Sequence, residues 1–158
     1  MQYYRIIIPS LLIAVALATP SLGQSSKGDV FLKQYRALKE EGTELWAFIQ
    51  RANLSGEFVS EQLLLSRQKE ILSLIKRIHG FSEGVRGYDL QRLKEALNQG
   101  KTFEEHSRLL ALSSAAEVMS QMLGAGADYL GEKQAIYLKV ALKYEEIWKL
   151  LEEEAMRR

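Results

Sequence analysis

The chain holds two histidines, His79 and His106, and no cysteine. Neutral imidazole ligates transition metals and haem iron, so two such rings at one end of a fold could hold either group. Helical spacing ends one segment at His79 and puts His106 one turn into a later one. If the residues between them only connect, both rings share one end, with Glu83, Glu104 or Glu105 as further oxygen ligands. The plainer reading is two unrelated histidines near helix ends, His79 facing a helix C-terminus and His106 beside Phe103 and Leu110. No Glu-x-x-His occurs, which removes the di-iron carboxylate bundle. The missing cysteines remove disulfides, thiolate metal sites and covalently attached haem. On the plainer reading no cofactor is expected.

Gly80-Phe81-Ser82-Glu83-Gly84 fits G-x-S-x-G, and Asp89 and His106 follow in the order Ser, Asp, His. In an α/β-hydrolase this pattern is the nucleophile elbow, a sharp turn from a strand into a helix. Here residues 72–79 carry helical spacing and no series of strands exists, so Ser82 reads as a loop serine and the chain as a non-enzyme. Ser66-x-x-Lys69 and Ser73-x-x-Lys76 match S-x-x-K without its partner motifs S-D-N and K-T-G, and stand seven apart as surface residues of one helix do.

The 158 residues suffice for one domain. Arg5, the apolar run Ile6–Ala18 and the small residues Ser21 and Gly23 before Gln24 have the layout of a signal peptide, residues 1–23. The run is shorter than the roughly 20 residues a membrane span needs, so no stable span is expected after cleavage. The protein is therefore expected to be exported, periplasmic or secreted, with residues 24–158 as a single domain. Losing residues 1–23 removes Arg5 as the one charge, leaving 20 basic residues against 20 acidic. A neutral chain offers no field for nucleic acid, which is not expected as a partner.

Both prolines, Pro9 and Pro20, fall in the signal, and leucine outnumbers the β-branched residues beyond it, so helix is expected throughout. The first helix is predicted over 29–52, with Phe31, Tyr35, Leu38, Gly42, Leu45, Ile49 and Ala52 on one stripe. Gly42 inside that stripe marks a kink or a close helix approach, and the unbroken register favours the approach. A second helix is predicted over 57–79, with Leu65, Leu72, Ile75 and His79 on its stripe and Gln68 as a register-fixing polar residue. A glycine-rich loop over 80–87 and a short helix over 89–99 follow, capped by Asp89 and ended by Gly100. Thr102-Phe103-Glu104-Glu105 reads as a capping box opening a helix to 123, dry nearly all round and hence central. Gly124–Ala127 is predicted as the last turn and 128–158 as the closing helix.

The closing helix carries Leu130, Tyr137, Val140, Ala141, Tyr144, Trp148 and Leu151 on one stripe, widened by Tyr129, Ile136 and Ile147. An apolar arc of roughly 140° needs two or more partner helices to dry it. The expected fold is thus all-α: an up-and-down bundle of four long helices plus one short connecting helix, preceded by a signal peptide. Leu138 and Leu142 fall off that stripe, one turn apart, and suit a seam for another protein or for self-association. The expected function is a non-enzymatic module that binds or scaffolds another envelope or extracellular protein. The alternative is a bundle binding a small ligand, metal or haem through His79 and His106.

Overall fold

A computed structural model describes residues 26–54, 59–131 and 135–157. The signal assignment over residues 1–23 falls outside them. The described residues form an all-α bundle of four helices: α1 (Lys27–Leu54), α2 (Glu61–Asn98), α3 (His106–Leu130) and α4 (Ala135–Met156). None of these is long and apolar enough to cross a membrane.

The contacts set the directions. Along α2 and α3, Gln68 meets Ala127, Ser82 meets Ser113 and Asp89 meets His106, so the two run antiparallel. Gly42 of α1 lies against Met119 and Gly126 of α3 against Ile49, so α1 and α3 run parallel. Trp148 reaches Tyr35 and Glu145 reaches Trp46, which turns α4 antiparallel to α1. The chain goes up, down, up, down, and α3 packs against all three other helices.

The first stripe is as predicted. Phe31, Tyr35, Leu45 and Ile49 are buried, and α1 runs unbroken through Gly42. A Cβ at Gly42 would stand 3.1 Å from the Met119 sulfur, so this glycine admits a neighbour and does not kink the helix. The central position predicted for the fourth segment also holds. Leu109, Ala111, Leu112, Ala115, Ala116, Met119, Met122 and Leu123 of α3 are all buried.

The predicted loop over 80–87 and the separate short helix do not exist. α2 runs 38 residues through both, a rod of about 57 Å. Ile71, Leu74, Ile78, Ser82, Val85 and Asp89 recur every three or four residues and are buried along its length. That seam outweighs three glycines at about 1 kcal/mol each against alanine. Gly80, Gly84 and Gly87 sit opposite the seam, where an added Cβ would touch nothing within 4 Å. Asp89 is thus no cap. The helix ends as expected at Gly100, whose φ of 65° is one that favours glycine. Lys101 N–H donates to Ala96 O and Gly100 N–H to Leu97 O, the paired bonds of a Schellman end.

Three further boundaries move. The capping box at Thr102 is not formed: Phe103 is drawn against the core, and α3 starts at His106 with no side-chain cap. The predicted turn Gly124–Ala127 is helix, because Gly126 lets α1 approach: a Cβ there would meet Ile49 at 2.5 Å and Trp46 at 3.2 Å. Tyr129 and Leu130 therefore belong to α3, not to the closing helix. α2 begins later than predicted, at Glu61, where Ser60 caps it by accepting from Leu63 N–H at 3.3 Å.

The two kinds of helical glycine predict opposite responses. Gly80→Ala, Gly84→Ala and Gly87→Ala together should stabilise the fold by about 0.5–1 kcal/mol each. Gly126→Ala should cost about 1–3 kcal/mol by overpacking against Ile49 and Trp46. Urea unfolding of the variants measures both, and a loss of stability in the triple alanine variant would contradict a continuous α2.

Candidate functional site

The residues that looked chemical are distributed along the α2–α3 seam. His79 Nδ1 lies 3.3 Å from Glu117 Oε2, with both side chains partly open to solvent. His106 Nδ1 lies 2.9 Å from both carboxylate oxygens of Asp89, whose side chain is almost covered. Asp89 stands ten residues beyond His79 on the same helix, so the two imidazoles are about 15 Å apart along the axis. They share no site. The expectation that put them together assumed a helix break at residue 80, and α2 has none. Among the described residues, no group of three or more His, Asp or Glu side chains converges as metal ligands do.

Ser82 is fully buried in the middle of α2, and its hydroxyl donates to Ser113 O at 3.1 Å. A nucleophile elbow needs a strained turn that exposes the serine. Ser82 is helical and covered, and Asp89 lies two turns away with its carboxylate spent on His106. These side chains act as polar steps between two helices. Gln68 adds another, donating to Ala127 O at 3.1 Å, as its place in the α2 register suggested.

The phase of α4 differs from the predicted one. Ala141, Trp148 and Ala155, seven apart, form its buried centre line. That line brings Leu138 partly against the core and turns Ile136, Val140 and Ile147 outward. Leu142 is exposed, but Leu138 is not, so the pair does not make the seam expected of it. The exposed row is Ile136, Val140, Ile147 and Leu150, 42–68% exposed, at steps of four, seven and three.

A second row runs along α2: Leu65, Leu72, Leu90 and Leu97 are all exposed. At 100° per residue these four lie within about 40° of one another. The opposite edge of α2 faces α1, through Phe81 and Tyr88 on Phe31 and the ion pair Arg77–Glu41. The α1-facing edge of α4 is marked by Glu145 on Trp46 and Glu152 on Lys39. Both apolar rows thus lie on the sides turned away from α1, and they flank α3, where Leu110 is also exposed. The sequence spacing puts Leu65 and Leu72 on the α2 stripe and Ile136, Val140 and Ile147 on or beside the α4 stripe, and each lies instead on an exposed helix edge.

Between α1 and α4 the packing is of another kind. No Cα of α4 comes within 8 Å of one in α1. Side chains bridge the gap instead: Trp148 Nε1–H donates to Tyr35 Oη at 2.6 Å, Trp46 Nε1–H to Glu145 at 3.2 Å, and Lys39 pairs with Glu152. Under these bridges lies a cavity of about 280 Å³ with Met119 and Met122 of α3 among its walls. Tyr35 is fully covered, and burial first, then the nearby Glu152 charge, holds its phenol above the ordinary tyrosine range. The fold therefore favours the neutral phenol. The stability this gives is present below the unfolded value of about 10 and is lost as pH rises through the folded value.

Tyr35→Phe should cost about 1–3 kcal/mol at neutral pH, since the Trp148 N–H loses its acceptor in a covered site. At about pH 11 the gap to the unaltered protein should narrow, because the phenylalanine variant has no phenol to ionise on unfolding. Urea unfolding at the two pH values reads the difference, and a gap that widens would contradict the assignment. No protein-family model, no curated protein and no solved structure matches this chain.

Proposed function

We propose that the protein is an exported, non-enzymatic helical-bundle module that binds another envelope or extracellular protein, or a second copy of itself, through the α2–α3–α4 face. The observation that carries this reading is the pair of exposed apolar rows flanking α3, Leu65, Leu72, Leu90 and Leu97 on one side and Ile136, Val140, Ile147 and Leu150 on the other. Single exposed leucines need no explanation, whereas rows at helical spacing on two helices, one on either side of α3, leave apolar edges that a partner's apolar helices would dry. Export rests on the signal layout of residues 1–23. Ligation of a metal or haem by His79 and His106 forms no part of the proposal, since each ring is held by a different carboxylate.

Ile136→Lys combined with Ile147→Lys tests the face. Both positions are exposed, so folding stability should change by no more than about 0.5 kcal/mol per site. In-cell cross-linking of the unaltered protein should yield a discrete adduct, with itself or with one partner, and the double variant should reduce that adduct about tenfold or more. An adduct of undiminished yield from the folded variant would contradict the proposal.

A further inference from the structure

The geometry points to the α1–α4 cavity as a binding site for a flat, uncharged, apolar molecule of one or two fused rings. This site is separate from the outer face and does not depend on it. Its walls include the indoles of Trp46 and Trp148 and the thioethers of Met119 and Met122, while Gly42 brings no side chain into it. Indole rings make apolar walls, and methionine adapts its shape to what it touches.

The polar groups around the cavity argue for a neutral ligand. Lys39 is paired with Glu152, and Lys149 with Glu145 at 3.1 Å. Both indole N–H groups are already spent, on Glu145 and on Tyr35. A charged ligand would enter without a counter-charge and would lose its hydration uncompensated. An uncharged ring system loses little of its hydration on entering a site whose accessible lining is mainly apolar. One polar atom on it could stay at the mouth, where Thr43 and Gln50 stand.

Size narrows the class. An apolar cavity of about 150 Å³ is known to hold benzene. The cavity here, about 280 Å³, has room for two fused rings and lies near the lower end of ordinary ligand pockets. Lys39 and Lys149 also line a second, charged groove beyond, so they and their acids bound the apolar compartment on that side.

Titration calorimetry with 2-naphthol tests the inference on protein purified from its own cells. One saturable site is expected for 2-naphthol, and 2-naphthoate, with the same rings and a carboxylate, should bind about tenfold or more weakly. Ala47→Phe, which fills the cavity from α1, should abolish binding. Thr43→Phe, at an exposed position on the mouth, should do the same and decides the matter should Ala47→Phe not fold. Absence of saturable 2-naphthol binding, equal binding of 2-naphthoate, or binding that survives in a folded blocking variant would each overturn the inference.

Discussion

The close approach of α1 to α3 is the constraint from which the rest of the bundle follows. It depends on Gly42 on one helix and Gly126 on the other, each lying where a Cβ would press on the opposing helix's side chains. In a four-helix arrangement, drawing one diagonal pair together pushes the other apart. Accordingly no Cα of α2 comes within 8 Å of one in α4, and each leaves an apolar edge uncovered beside α3. The α1–α4 side is held open differently, by Tyr35, Trp46 and Trp148, whose bulk and hydrogen bonds span the gap. One tight contact thus produces an open outer face, and bulky bridging side chains keep a cavity on another side.

The seam between α2 and α3 shows where the candidate chemistry went. From Gln68 to Asp89 on α2, and from Ala127 back to His106 on α3, both helices advance 21 residues without a slip. Ser82 on Ser113 and His79 by Glu117 mark the same register between those ends. An apolar interface alone tolerates sliding by a turn. Polar groups that find partners in only one alignment penalise every other, because the covered ones, Ser82 and Asp89, would then be buried without a bond. The residues that resembled a hydrolase set and a histidine pair are used to align two helices.

The all-α bundle, the α1 stripe, the role of Gly42, the central α3 and the stop at Gly100 were legible in the sequence, because each rests on local spacing or local turn geometry. Two errors came from glycine. Gly80, Gly84 and Gly87 suggested a loop, and Gly124 and Gly126 a turn, since local propensity says nothing of what packs behind the backbone. The seam opposite the first group and the indole of Trp46 against the second decide both cases, and both are tertiary. The phase of α4 was missed for a related reason. Its apolar arc is broad, and where that arc centres depends on Glu145 and Glu152 being drawn toward Trp46 and Lys39, which no periodicity reveals. Ile136, Val140 and Ile147 are therefore expected on the buried arc and lie outside it, and the cavity between Trp46 and Trp148 carries no sequence signal beyond two tryptophans on facing helices.

A bundle with two uncovered apolar rows should not travel alone in its own compartment. Native mass spectrometry of the protein taken from that compartment measures this most directly. The expected spectrum shows the chain bound to a second polypeptide, its own copy or another protein. A spectrum showing bare monomer at every concentration, or monomer carrying only the mass of a metal or haem, would contradict the binding role assigned to the outer face.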